Sequence, residues 1–142
     1  MELTKKLNKI QQELKAPKNQ TNNFGHYNYR SCEDILEAVK PLLDGAIITI
    51  SDRIENIGKY NYIIAIAQIS EGEEKINVQG VAREAETQKG MQDSQLTGST
   101  SSYARKYALN GLLAIDDAKD ADTTDNRPQQ KFNNNNNNNQ TL

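Results

Sequence analysis

Apolar side chains become rare after Ile115, and this boundary limits what the chain can fold into. Residues 116–142 contain five acidic and three basic side chains and a run of seven asparagines, Asn133 to Asn139. Such a segment buries too little apolar surface to offset the conformational entropy that folding would cost it. We therefore expect one core domain over residues 1–115 and a disordered acidic, asparagine-rich tail over residues 116–142.

The first helix is predicted by apolar residues that recur at helical spacing. These residues are Leu3, Leu7, Ile10 and Leu14. Pro17 ends the pattern, and residues 18–23 are interpreted as a loop. The single apolar face indicates a helix that packs against the core or against another subunit.

A second helix is predicted after a short aromatic segment. Residues 24–30, Phe-Gly-His-Tyr-Asn-Tyr-Arg, are typical of a strand or an extended arm. Ser31 has the form of an N-cap, and Asp34 follows three residues later, as in a capping box. The predicted buried face consists of Ile35, Leu36, Val39, Leu42 and Leu43. Pro41 should kink this helix or end it early.

Three strands and a last helix are predicted in the remainder of the core domain. Residues 46–55, 60–69 and 75–83 are rich in β-branched side chains and are separated by turn-like segments. Because residues 60–69 are apolar on both alternating faces, we place them in the middle of an antiparallel meander. Gly80 marks a bulge or bend, and the last helix runs from about residue 94 to 115. The expected fold class is α+β, a meander of about three strands backed by helices.

Signatures of catalysis are missing from the sequence. It contains neither a Walker A pattern nor a G-x-S-x-G elbow, and His26 is its one histidine. The acidic residues after 115 lack the central glycine and terminal glutamate of a calcium loop. We expect a protein that is not an enzyme and uses no cofactor or metal ion.

The sequence also predicts a location. It has no apolar leader and no stretch near the roughly 18 apolar residues that a membrane span needs. Its one cysteine, Cys32, cannot form an intrachain disulfide. We therefore expect a cytoplasmic protein without a membrane partner.

Net charge leaves the question of a nucleic-acid partner open. Residues 1–115 contain 14 Lys/Arg and 14 Asp/Glu, and the whole chain has a formal charge of −2. Nucleic-acid-binding domains are usually basic. A DNA site on this chain must therefore be a local stripe on a neutral body.

Aromatic and basic side chains share one face of the last predicted helix. At about 100° per residue, Tyr103, Lys106, Tyr107 and Asn110 occupy roughly a third of its circumference. Cations on such a face would follow phosphates, and the rings would accept unstacked bases. Alternatively, both tyrosines pack beneath a sheet edge with their hydroxyls outward. Arg105 falls on the apolar side and must snorkel or meet a partner.

Residues 98–109, Gly-Ser-Thr-Ser-Ser-Tyr-Ala-Arg-Lys-Tyr-Ala-Leu, resemble the signature of the Erf (essential recombination function) family of phage single-strand DNA annealing proteins. In that family a glycine- and serine-rich start leads into Tyr-Ala-Arg-Arg-Tyr-Ala-Leu and then an acidic patch. Lys106 stands where a second arginine is usual, which keeps the charge but loses bidentate phosphate geometry. Residues 24–43 resemble the family's tyrosine-containing arm and the helix after it. The resemblance covers roughly residues 3–120.

This resemblance implies that the chain binds single-stranded DNA and anneals complementary strands without ATP in phage homologous recombination. It also implies an annealing-protein-like core and a ring or filament of identical subunits in the bacterial host cytoplasm. Two rival interpretations stay open, a coating protein that does not anneal and a protein-interaction scaffold without a DNA role. The tail is either a solubilising extension or a segment that competes with DNA or recruits a single-strand-binding protein.

The resemblance assigns candidate DNA-binding residues as well. Arg105 and Lys106 would hold phosphates, while Tyr103 and Tyr107 would stack bases or buttress the groove. Two further groups are a patch in the arm and a pair flanking the loop before the last helix. They are Tyr27, Tyr29 and Arg30 in the arm, and Arg83 and Lys89 around the loop.

Overall fold

The structure is a computed structural model that describes residues 2–22, 25, 27–85 and 92–115, with the backbone alone at Tyr27. Its elements are α1 (Leu3–Glu13), β1 (Gln20–Asn22), β2 (Tyr27–Tyr29), α2 (Cys32–Val39), a 3₁₀ turn (Lys40–Leu42), β3 (Ile47–Ile57), β4 (Tyr60–Glu71), β5 (Glu74–Glu84) and α3 (Asp93–Leu113). The predicted α+β class is confirmed. The predicted tail, residues 116–142, lies outside the described residues, and the domain boundary stays a prediction.

The three long strands form an antiparallel meander in the order β3-β4-β5. The prediction that the doubly apolar strand lies in the middle is confirmed. β4 pairs with β5 without interruption from Asn61↔Glu84 to Glu71↔Glu74, so no bulge occurs at Gly80. Tight turns at Gly58 and Gly72, both at positive φ, join the strands. Short turns of this kind fix the register, and the register decides which side chains share a face.

The two faces of this sheet have different surroundings. The inner face carries the fully buried residues Ala65, Ala67 and Ile69 of β4, and α3 packs mainly on β5 and β4. The outer face carries the alternate residues, among them Tyr60, Tyr62 and Ile64. The apolar core therefore lies between the inner face and the helices.

Gly80 is needed for the close approach of α3 to β5. A Cβ built on Gly80 would lie 2.3 Å from the carbonyl oxygen of Ala104 and 2.4 Å from the amide nitrogen of Ala108. Both neighbours belong to the backbone of α3, so neither can rotate away. The glycine permits helix–strand contact, and of the predicted bulge or bend the continuous pairing excludes the bulge.

The shorter helices form largely as their sequence patterns predict. Ser31 and Asp34 form a reciprocal capping box at the start of α2. The helix ends at Val39 and tightens into the 3₁₀ turn that contains Pro41. α1 presents Leu3, Leu7 and Ile10 to the core.

A two-stranded ribbon, here called the arm, joins α1 to α2. It consists of β1 and β2, paired antiparallel from Gln20↔Tyr29 to Asn22↔Tyr27. The interpretation of residues 18–23 as a loop is therefore wrong for β1. Its side chains are polar and show no strand pattern, so the strand is recognised only by its pairing with β2. Among the helices in the described part of the chain, none is long and apolar enough to cross a membrane.

Candidate functional site

The arm meets the middle of α3 at a cleft of about 300 Å³, here called the arm cleft. Its lining comes from the arm, from the first turn of α2 and from α3. It includes Tyr29, Arg30, Cys32, Ser99, Tyr103 and Lys106. The two aromatic and basic motifs of the sequence, about 70 residues apart, therefore contribute to one cleft.

Lys106 is enclosed by tyrosine rings. Its ammonium nitrogen lies 6.0 Å from the ring centroid of Tyr29, 5.7 Å from that of Tyr103 and 5.8 Å from that of Tyr107. Only 4 % of the residue is exposed. These distances fall at the outer range of cation–π attraction. Lys106 lies on the predicted helix face, but the arm covers it, so it joins β2 to α3.

Tyr103 presents the open aromatic surface of the site. The residue is 43 % exposed, and its ring is offset-stacked on Tyr107 at a centroid distance of 6.5 Å. An exposed ring supported from below by a second ring can accept a flat partner without rearranging. Tyr103 can therefore stack an unpaired base, provided that the base reaches the arm cleft.

A second cleft, here called the edge cleft, runs between β5 and α3 and also measures about 300 Å³. Its lining includes Val81, Arg83, Leu96, Thr100, Tyr103 and Tyr107. Tyr103 borders both clefts. Arg83 thus shares a cleft with two of the other predicted residues, although it lies on the outer face of the sheet rather than beside Lys106.

The side chain of Arg105 reaches toward β3. Its Nε donates to both carboxylate oxygens of Asp52 on β3, at 3.1 and 3.3 Å, and the hydroxyl of Ser101 donates to the same carboxylate. The side chains of Arg105 and Asp52 are 41 % and 22 % exposed. Of the two predicted alternatives, that Arg105 snorkels or meets a partner, the structure shows the partner. Arg105 is not among the described residues that line the arm cleft.

Asp52 is the contact residue of this site that the sequence did not predict. It occupies an inward-facing position of β3 between Ile50 and Ile54, two residues to either side. A carboxylate among inward-facing apolar residues signals a buried or half-buried partner. That signal was present in the sequence, but only the fold identifies Arg105 as the partner.

Cys32 lies in the wall of the arm cleft as a buried free thiol. Burial raises the pKa of this thiol, the charge of Glu33 raises it further, and Arg105 works in the opposite direction. The protonated thiol is a weak nucleophile and a weak metal ligand. Among the described residues, no three His, Cys, Asp or Glu side chains are grouped as a metal site requires.

The structure therefore brings together most, but not all, of the predicted residues. Tyr29, Arg30, Tyr103 and Lys106 share the arm cleft, and Tyr107 and Arg83 join Tyr103 in the edge cleft. Arg105 lies apart. The side chain of Tyr27 and all of Lys89 lie outside the described residues.

Comparisons with known proteins give one family. The family model described as the ERF superfamily matches residues 3–142, beyond residue 120, where the resemblance was expected to end. The Essential recombination function protein of Salmonella phage P22 is 58 % identical over 125 residues, which are 88 % of this chain and 61 % of that protein. The chain thus matches less than two thirds of the length of this relative. Among solved structures, none matches the chain.

Proposed function

The chain belongs to the ERF superfamily, and from this premise we propose that it binds single-stranded DNA and anneals complementary strands in phage recombination, without ATP. The name of the phage P22 relative supports a recombination function. Binding of single strands and annealing go beyond that name, and their support comes from the chemistry of the two clefts.

One observation supports the proposal most strongly, the convergence of the two aromatic and basic motifs at the arm cleft. Tyr103 offers an exposed ring, Arg30 supplies positive charge in the same cleft, and the buried Lys106 adds charge from between the tyrosine rings. Single strands are bound without sequence preference by this combination, because every base has a flat face and every nucleotide a phosphate. Annealing needs such tolerance, since the bound strand must present its base edges to a complement.

We assign the residues of the proposed site different tasks. Tyr103 and Tyr29 would contact bases, Arg30 and Arg83 would contact phosphates, and Lys106 with Tyr107 would support the rings from inside. Arg105 is held by Asp52 outside the arm cleft, so its proposed task is to position α3 on the sheet.

The proposed active unit is an oligomer of identical subunits. If each subunit neutralises about three phosphates, a fourfold rise in salt weakens one subunit's binding roughly twentyfold. A chain with a net charge of −2 has little long-range attraction for DNA to compensate. Many weak sites along one strand act together through effective concentration, so a ring or filament would hold a strand that one subunit releases.

Annealing of two complementary labelled oligonucleotides, followed by energy transfer without ATP or magnesium, tests the proposal. We expect the protein to accelerate pairing. Tyr103→Ala should weaken oligonucleotide binding about fivefold to 140-fold, the range found for loss of one stacking ring. Tyr103→Phe keeps the ring and should retain binding, so it is the matched control.

The other outcomes separate the rival functions. Tight binding without faster pairing would replace annealing by coating of single strands. A folded protein that binds no oligonucleotide at low salt would eliminate both DNA functions and leave the scaffold interpretation.

A further inference from the structure

Charge is sorted between the two faces of the sheet, although the core domain as a whole is neutral. The charged residues at outward strand positions are Arg53, Glu55, Lys75 and Arg83, three cations and one carboxylate. The inward positions instead carry acidic residues, namely Asp52, Glu71, Glu74 and Glu84. The outer face therefore has a positive potential of its own, which a neutral total conceals.

The aromatic residues of the outer face gather at the end nearest the β3–β4 turn. Tyr60 and Tyr62 alternate along β4, and Arg83 is the direct neighbour of Tyr62 in register. The guanidinium carbon of Arg83 lies 4.3 Å from the ring centroid of Tyr60, and the ammonium nitrogen of Lys59 lies 5.5 Å from it. The opposite end of this face carries no ring and is built from Ile47, Thr49, Gln68, Ser70, Lys75 and Asn77.

We infer that Lys59, Tyr60 and Arg83, here called the sheet platform, form a second contact surface for single-stranded DNA. This inference adds a surface to the proposed function and rests on it. A guanidinium 4.3 Å above a ring is at stacking distance, and its far side is a flat cation on which a base can stack. Lys59 and Arg83 would meet the phosphates on either side of that base.

The sheet platform connects to the proposed site through Arg83. This residue lies over Tyr60 on the outer face and also lines the edge cleft together with Tyr103. Since Tyr103 borders the arm cleft as well, aromatic and basic groups follow one another from the arm, across α3 and the edge of β5, to the sheet. A strand that leaves the arm cleft over this edge arrives at Tyr60.

A polyanion fits this surface better than the same face of a second copy of the chain. A two-fold contact would place Lys59, Arg83 and Arg53 against the same cations of its partner, and like charges brought together are destabilising. The one outward carboxylate, Glu55, is already engaged by Arg53 at 3.0 Å. The exposed residues Ile57 and Val81 border the platform, where they would contact sugars and base faces.

The test is binding of a fluorescent oligothymidine by the full chain, measured by anisotropy at two salt concentrations. Tyr60→Ala should weaken binding at least about fivefold, and Tyr60→Phe should not. Arg83→Ala should weaken binding and reduce the salt slope by about 0.7. Lys75→Ala is the matched control, because it removes the same charge from the same strand and face at the end without rings. An oligonucleotide containing 5-iodouracil should also photo-cross-link to Tyr60.

Each result decides for or against the platform. If Tyr60→Ala is unfolded by circular dichroism, Lys59→Ala against Lys75→Ala decides, because Arg83 also belongs to the proposed site while Lys59 belongs to the platform only. Two results would overturn this inference and leave the proposed function standing. One is an equal loss of binding in Arg83→Ala and Lys75→Ala. The other is unchanged binding in the Tyr60 and Arg83 variants while Tyr103→Ala binds more weakly. A smaller assembly for Tyr60→Ala with unchanged oligonucleotide binding per subunit would make the platform a subunit contact instead. Failure of the unmodified chain to bind would remove the proposed function itself.

Discussion

The two sides of α3 differ in how their residues are held. On the side toward the sheet, backbone meets backbone at Gly80, and Arg105 is fixed by Asp52. On the side toward the arm, contacts run through side chains, with tyrosine rings around Lys106 and an open cleft of about 300 Å³. Adjacent residues of one signature therefore have different tasks, since neighbours on a helix point about 100° apart.

This difference indicates that one side of α3 supports the fold and the other side is free to bind a partner. A contact made of backbone atoms has one geometry and tolerates no added volume. A contact made of aromatic and polar side chains around a cleft can exchange one partner for another, such as a base for solvent. We therefore expect substitutions on the sheet side to change stability and substitutions on the arm side to change DNA binding.

The largest effect is expected where α3 touches the sheet. Gly80→Ala should lower the free energy of unfolding by about 3 kcal/mol, because its new Cβ would collide with the backbone of α3. The matched control is Gly98→Ala on α3, where a Cβ meets nothing within 4 Å. That variant should gain up to about 1 kcal/mol from helix propensity. Urea unfolding measures the free energy of unfolding of both variants. If Gly80→Ala were as stable as the unmodified chain, α3 would not be closely packed on β5.

A smaller effect is expected at the capping box beside the arm cleft. Asp34→Ala should cost about 1 kcal/mol at neutral pH, because the Asp34 carboxylate accepts from the Ser31 N–H at 2.9 Å. The same hydrogen bond, more than any other cause, lowers the pKa of Asp34 below its usual 3.8. The box therefore stabilises fully above about pH 4, and its contribution is lost as pH falls through the lower folded-state pKa.

Glu33→Ala is the control for this prediction. It removes the same charge from the same first turn of α2 but leaves the capping box intact. Thermal unfolding from pH 7 to pH 2 should show the difference between Asp34→Ala and the unmodified chain shrinking below pH 4. A difference that stays constant with pH would mean that the carboxylate is not what stabilises the cap.

The smallest effect is expected when one arginine is replaced on each side of α3. Arg30→Gln removes a cation from the arm cleft and should reduce the salt slope of oligonucleotide binding by about 0.7, roughly a 2.6-fold difference over a fourfold salt range. Arg105→Gln removes the same charge from the sheet side. It should leave the slope unchanged and lower stability by up to about 1 kcal/mol.

The reverse result would change the assignment of Arg105. A reduced slope for Arg105→Gln, in a protein that remains folded, would mean that Arg105 leaves Asp52 to meet a phosphate. Because Arg30 Nε also donates to the carbonyl oxygen of Ala16 at 2.7 Å, the unfolding curve of Arg30→Gln must be recorded alongside.

Much of the fold could be predicted because its signals are local. The spacing of Leu3, Leu7 and Ile10 predicts α1, and the Ser31–Asp34 pair predicts the start of α2. β1 could not be predicted, since its polar residues become a strand only by pairing with β2. For the same reason Gly80 was predicted to mark a bulge or bend, because the residues of α3 that require it, Ala104 and Ala108, lie more than 20 residues further along the chain.

The sequence by itself determined the helices, the three long strands, the central position of β4 and the family, because helix periodicity, strand alternation and motif order are properties of neighbouring residues. The tertiary structure decided which motifs meet. It enclosed Lys106 under Tyr29, paired Arg105 with Asp52 and placed Arg83 over the ring of Tyr60. Each of these contacts joins residues from different elements. Their free energy comes from burial and geometry that exist only once the sheet, α3 and the arm have packed together.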